Sequence, residues 1–285
     1  MSVVITGATG QLGRLVVEDL LAGGLPADQI TATGRDTAKL ADLSAKGVST
    51  ARADFGDPAS LKAAFQGADT VLLVSSSEVG RRVDQHRNAV EAAKDAGVGH
   101  IVYTSVLNAA ESSLVLAPEH KATEEIILAS GLTYTLLRNG WYSENYEQQL
   151  PQVRETGAVL TSAGEGRVAS ASRPDYAAAA AAVLRAPAAH ADAVYELSGD
   201  TAWSFDEFAA AAGEALGREV VLNNVTPEEH LTVLTGAGLD EGTAGFLVGL
   251  DTGTREGELS STTGELSRLI GRPTTPLVET LKTLV

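Results

Sequence analysis

The chain begins with the apolar run Val3-Val4-Ile5 and continues Thr6-Gly7-Ala8-Thr9-Gly10-Gln11-Leu12-Gly13, an order that constrains the fold more than any other stretch. Three β-branched residues in a row make a short buried strand. The apolar and polar alternation over residues 12–21 makes an amphipathic helix. Between strand and helix, glycine recurs at every third position. Gly7 lets the chain turn off the strand, Gly10 presents backbone without a Cβ, and Gly13 lets the helix pack close to the strand. The first N–H groups of such a helix have no internal acceptor and face an anion. Strand, glycine turn and helix in this order predict a dinucleotide site whose pyrophosphate lies against Gly7, Ala8, Thr9, Gly10, Gln11, Leu12 and Gly13.

Strand and helix signals then alternate. Strands are expected at 30–33, 48–51, 70–74, 100–104 and 133–137, with helices at 36–45, 57–65, 79–96 and 119–129. Asp36 and the pair Asp57-Pro58 read as helix starts. Six strands joined by helical crossovers predict an α/β fold: a Rossmann-type, doubly wound parallel sheet over residues 1–140. Residues 141–285 read as a smaller, mainly helical substrate lobe, from which about 173–200 returns to the core. In that returning segment Pro174 opens an alanine-rich helix over 175–185, whose six consecutive alanines imply close packing on the sheet, and 193–197 reads as a strand. Helices are expected at 205–216, 227–234, 242–250 and 276–284, the last with Thr275 as N-cap, and 219–222 is strand-like.

The 285 residues suffice for one large domain or a domain with an appendage. Without cysteine the chain has no disulfide, no thiolate nucleophile and no Cys-bound zinc. No apolar run approaches the roughly 18–20 residues of a membrane span, and no signal peptide opens the chain, so a cytoplasmic protein is expected. A net charge of −16 opposes nucleic acid as a partner, while leaving room for a few placed cations to bind a phosphate. The oligomeric state is open.

At the end of the second strand, Thr33-Gly34-Arg35 puts glycine where an NAD site carries a ribose-binding acid. Arg35, 22 residues after Gly13, reads as the ligand of a 2′-phosphate in NADPH, against the alternative of a solvated surface arginine. Asp54 and Phe55 follow the third strand, placed to meet the adenine, while Asp57 is read as a helix cap only. Ser75, Ser76 and Ser77 end the fourth strand at the carboxyl edge, where small residues let a cofactor approach.

Absences narrow the chemistry. None of the tyrosines (103, 134, 142, 146, 176, 195) has lysine four residues on, so the Tyr-x-x-x-Lys proton relay of alcohol dehydrogenases is missing. The five histidines show no metal-ligand spacing, so no metal site is expected, and no G-x-S-x-G elbow is present. His120 and Lys121 read as exposed residues at a helix start.

The glycine turn together with Leu137-Arg138-Asn139-Gly140-Trp141-Tyr142-Ser143-Glu144-Asn145-Tyr146 resembles the NmrA-like branch of atypical short-chain dehydrogenases, and within it the bacterial type-2 NAD(P)H:quinone oxidoreductases. Further matching stretches are Ser75-Ser76-Ser77-Glu78-Val79-Gly80, Gln85-His86-Arg87-Asn88, Ala169-Ser170-Ala171-Ser172-Arg173 and Leu269-Ile270-Gly271. The resemblance implies NADPH-dependent reduction of quinones, which needs no dedicated proton relay. It implies that Asn139 and Gly140 hold the nicotinamide and that Trp141 and Tyr142 wall a flat acceptor, making Asn139 and Tyr142 the candidate catalytic residues. Trp141 and Tyr146 are the candidate substrate residues, although core packing suits both aromatics equally. The competing class is an NADP(H)-binding redox sensor without turnover, which NmrA-like proteins also include.

Overall fold

The structure is a computed structural model that describes residues 1–285. In chain order it begins with β1 (Val3–Ile5), α1 (Gln11–Ala22), β2 (Ile30–Gly34), α2 (Ala41–Ala45), β3 (Ser49–Arg52), α3 (Pro58–Phe65) and β4 (Thr70–Leu73). It continues through α4 (Arg82–Asp95), β5 (His100–Val106), α5 (Ala117–Ser130) and β6 (Thr133–Asn139). There follow α6 (Leu150–Thr156), β7 (Ala158–Thr161), β8 (Arg167–Val168), α7 (Arg173–Arg185) and β9 (Ala193–Leu197). The last part holds β10 (Trp203–Ser204), α8 (Phe205–Leu216), β11 (Val221–Asn224), α9 (Pro227–Gly236), α10 (Glu241–Arg255), α11 (Glu265–Ile270) and α12 (Leu277–Thr283).

The strands form a seven-stranded sheet in the order β3-β2-β1-β4-β5-β6-β9, parallel throughout its first six strands. The fold is the α/β Rossmann type that the alternation implies, and the order reverses between β1 and β4, the switch point at whose carboxyl edge such sheets bind ligands. The caps lie where the chemistry puts them. Asp36 accepts from the Ala38 N–H at 3.1 Å and caps a 3-10 helix, Thr37–Leu40, that runs into the short α2, so the helix expected at 36–45 is α-helical only over its last five residues. Asp57 accepts from the Ser60 N–H at 3.2 Å with Pro58 in the first turn of α3.

Two compact units divide the chain: 1–110, 118–139 and 173–196 form the first, and 111–117, 140–172 and 197–285 the second. In the first, β4 and the centre of β5 are buried, and Phe65, Leu73, Val90, Ile101, Tyr103 and Ile127 share one apolar cluster. Each fully buried side chain of this size contributes roughly 1.5–3 kcal/mol of transfer free energy. The alanines of α7 pack against α1, so the partner of that close contact is a helix and not the sheet itself. Ala177, Ala179, Ala180 and Ala181 are buried there, and short side chains allow the close approach.

The second unit contains α6 and α8–α12 with two small sheets, antiparallel β8–β10 and parallel β7–β11. The strands β7, β8 and β10 are too short and mixed in composition to stand out by periodicity. Ser204, Thr226 and Asp240 cap α8, α9 and α10, the first two as complete capping boxes. The last helix starts at Leu277 after Pro276, so Thr275 is not its cap. No helix is long and apolar enough to cross a membrane.

Candidate functional site

The glycine turn is built from backbone. Gly7 has φ +62°, a conformation that a side chain would strain. A Cβ on Gly13 would stand 2.6 Å from the Gly7 carbonyl oxygen, so the close seat of α1 on the turn requires glycine. A Cβ on Gly34 would meet Thr9 Cγ2 at 2.5 Å, which links the end of β2 to the same turn. At exposed Gly10 a Cβ would meet only the Gly7 oxygen, at 3.3 Å, so the space over that residue is open. No side chain caps α1, and no acid lies in its first turn. The result is a bare helix N-terminus over an open glycine, which fits a pyrophosphate by shape and charge. The other turn residues are not equivalent. Ala8 is fully buried with its N–H given to Thr33 O at 2.8 Å, and Leu12 turns its side chain into the core.

The turn after β4 rests on a buried polar network. Ser75 N–H donates to Thr104 Oγ1 at 2.9 Å, Ser76 N–H to His86 Nε2 at 3.0 Å, and Ser76 Oγ to Gln85 Oε1 at 2.6 Å. Arg82, largely buried, donates from Nε to Ser76 O at 2.6 Å. The side chain of Ser76 is therefore committed to α4, while Ser77 is exposed and Ser75 half-buried. Asn88 Nδ2 donates to Phe55 O at 2.9 Å, so one helix, α4, ties down both the 75–78 turn and the loop after β3. In that loop, Asp54 Oδ1 accepts from Gly56 N–H at 2.9 Å, and the half-buried Phe55 ring meets His86 edge-on at 5.9 Å.

His120 is buried, contrary to the exposed position expected from its place beside Lys121. Its Nδ1 lies 2.8 Å from Tyr103 OH, and its Nε2 faces Arg82 at 3.5 Å. Burial, with Arg82 nearby, pushes His86 down to about 4 and His120 to about 3, where they stay neutral at physiological pH. Burial also raises the Tyr103 phenol well above its ordinary value. Lys121 is exposed and donates to Ala110 O at 2.9 Å. Arg35 is 71% exposed and pairs with Glu78 Oε1 at 3.0 Å.

The chain passes to the second unit directly after Asn139, itself buried at the end of β6. One residue before it, Arg138 reaches Glu124 at 2.6 Å and Glu196 at 2.7 Å, which fixes the carboxyl end of that strand. In the second unit Gly140 N–H donates to Leu197 O at 2.7 Å, and residues 141–143 are laced to Ala171 through Trp141 O at 3.2 Å and Ser143 N at 2.9 Å. Trp141 and Tyr142 are half-buried. Tyr146, a candidate both for the substrate and for the core, is packed among aromatic rings. It is 6% exposed, its ring centroid lies 4.7 Å from that of Phe208 and 5.4 Å from that of Trp203, and burial raises its phenol far above the usual range. The Trp203 ring meets Tyr146 edge-on and the Phe208 ring lies tilted against it, the arrangement of core packing. No group of three or more metal-ligating side chains is present.

Reasoning from sequence missed the supports: Arg82 and Trp203 altogether, and the roles of Glu78 and Ser170, which stand in it only within matching stretches. Of these, Ser170 Oγ lies 2.9 Å from Ser143 Oγ and accepts from Trp203 Nε1 at 2.9 Å. Gln85, His86 and Asn88 belong to a stretch that matched a known pattern, but only the fold assigns them work.

Known proteins resemble this chain along its whole length. A family model described as NAD(P)H-binding matches residues 7–187. Quinone oxidoreductase 2 of Escherichia coli (strain K12) is 48% identical over 282 residues, covering 99% of this chain and 98% of that protein. The crystal structure of an NADPH-dependent quinone oxidoreductase from Escherichia coli complexed with NADPH superimposes with TM-score 0.94 at 48% identity, covering 99% of each chain. The triphenylmethane reductase of Citrobacter sp. complexed with NADP(H) superimposes with TM-score 0.94 at 39% identity over 100% of both chains.

Proposed function

The chain belongs to the NAD(P)H-binding family, and from that membership we propose that it is an NADPH-dependent oxidoreductase that transfers hydride to quinones. The observation that carries the reading is identity of 48% across essentially all of this chain and of the Escherichia coli quinone oxidoreductase. Gly7, Thr9, Gly10 and the first-turn amides of Gln11, Leu12 and Gly13 hold the pyrophosphate, as the open glycine and the bare helix end support. Arg35 takes the 2′-phosphate, and the loop at Asp54 and Phe55 receives the adenine. Ser75, Ser76 and Ser77 line the path as small residues, with Ser76 giving shape alone, since its N–H, carbonyl and Oγ are already bonded to His86, Arg82 and Gln85. Asn139 and Gly140 position the nicotinamide, and Trp141 and Tyr142 bound the acceptor.

Bound NADPH supplies the hydride. Reduction of a quinone to a hydroquinone also takes one proton. In the first unit the buried groups are poor sources of it, because His86 and His120 are neutral and Tyr103 stays a phenol. Water supplies the proton, and the protein works by positioning, to which well-oriented reactants owe up to about 7–11 kcal/mol of barrier reduction. Asn139, on the last residue of a strand braced by Arg138, has the fixed seat that such positioning requires.

The test is absorbance of NADPH mixed with purified protein, with and without benzoquinone. Quinone-dependent oxidation at roughly 1 per second or faster is expected. Stoichiometric NADPH binding without oxidation across benzo- and naphthoquinones would replace the reductase with a redox sensor.

A further inference from the structure

The turn after β4 places a carboxylate against the arginine assigned to the 2′-phosphate. Glu78 Oε1 pairs with Arg35 Nη1 at 3.0 Å, and Glu78 Oε2 accepts from Arg81 Nη1 at 3.1 Å and Gln85 Nε2 at 2.9 Å. The Glu78 N–H in turn donates to Ser76 Oγ at 3.2 Å, so its backbone is tied to the same anchored turn. Arg35 follows β2, whereas Glu78 and Arg81 follow β4, and β1 with its glycine turn lies between those strands in the sheet. The ion pair thus joins loops from the two sides of the glycine turn. Both arginines are 71% exposed and Glu78 31%, so the pairs are solvated, screened by salt and easily exchanged.

We propose that Glu78 is an internal competitor of the cofactor's 2′-phosphate and thereby sets how strongly the enzyme prefers NADPH over NADH. The inference rests on Arg35 as the 2′-phosphate ligand. A carboxylate and a phosphate of like charge repel when both approach one guanidinium. The phosphate, carrying more charge and more acceptor oxygens, takes Arg35 from Glu78. A nucleotide without that phosphate displaces nothing and gains nothing, so Glu78 weakens binding of the phosphorylated form alone. Gln85, which holds the other carboxylate oxygen, keeps Glu78 within reach of Arg35 and makes the exchange reversible.

The experiment uses two fragments that end at the adenosine half, adenosine 2′,5′-bisphosphate and adenosine 5′-monophosphate, titrated by calorimetry into the full-length wild type, Arg35→Ala, Glu78→Gln and Glu78→Ala. Glu78→Gln keeps the side chain's shape and removes its charge, and Glu78→Ala guards against a retained amide contact. Both Glu78 variants are expected to bind the bisphosphate about 2–5 times more tightly, the range for release of a solvated ion pair, with the monophosphate unchanged within about 1.5-fold. Wild-type preference for the bisphosphate that Arg35→Ala abolishes, together with unchanged or weaker bisphosphate binding in both Glu78 variants, overturns the competitor and leaves the Arg35 assignment standing. A wild type that binds both fragments equally overturns the Arg35 assignment and the competitor with it.

Discussion

In the first unit the carboxyl edge of the sheet is shaped by backbone: a glycine at φ +62°, a second glycine seated 2.6 Å from a carbonyl by its would-be Cβ, and a helix end with no cap. In the second unit the segment after Asn139 is held from behind, by the ladder to Ala171, the Ser143–Ser170 contact and the packed rings of Tyr146, Trp203, Phe205 and Phe208. A phosphate recognised by amides tolerates no extra atoms over those amides. A flat acceptor asks only for a wall at the right depth, and many side chains can support one. The first region is thus demanding about residue type at a few points, and the second about packing over many.

That contrast predicts different failures. Removing the Tyr146 ring should have the largest energetic effect and spare the nucleotide. Tyr146→Ala is expected to lower unfolding free energy by about 3–5 kcal/mol, the range for a buried aromatic truncated in a core, while the adenosine fragments bind as before. Urea unfolding and calorimetry measure the two effects. A variant with wild-type stability would mean that Tyr146 is not core.

Gly10→Val should give the opposite outcome. Its new Cβ touches only the Gly7 oxygen, so melting should move little, while branched carbon fills the open space above the turn. NADPH affinity is expected to fall at least about 100-fold, or roughly 2.7 kcal/mol. A folded variant that titrates like wild type would remove the pyrophosphate from this turn.

Acid should act on the first unit through its buried histidines. The folded value of His86 is about 4, below its reference of 6.5, so the native state binds fewer protons than the unfolded chain between those limits. The stabilisation is therefore complete above about pH 6.5 and is lost as pH falls toward about 4. Going from about pH 7.5 to about pH 5.5 should lose about 1 kcal/mol through His86, and His86→Gln should flatten the dependence by that amount. Identical slopes for the two proteins in urea melts at both pH values would contradict the buried neutral state.

Much of the first unit was legible because its signals are local. A strand, glycines at every third position and an amphipathic helix are contiguous in sequence, and Asp36 and Asp57 announce their own helices. The supports were not legible because their partners are distant. Nothing near residue 86 says that its ring will accept from Ser76 and face Thr123 37 residues away, and nothing beside Lys121 says that His120 turns inward to Tyr103. Tyr146 was ambiguous for the same reason, since its packing partners begin at Trp203. In the second unit β8 and β10 have two residues each, too few for any period to show.

We propose that Arg35 selects a phosphorylated nicotinamide nucleotide, whose hydride passes to a quinone. The most direct measurement is steady-state oxidation of NADPH and of NADH by the purified wild type with one benzoquinone at a fixed concentration. The account predicts quinone-dependent turnover with both, and kcat/KM for NADPH higher by about 10-fold or more, the worth of one charge-assisted bidentate contact. Equal kcat/KM for the two nucleotides, or no oxidation of either when quinone is added, would contradict it.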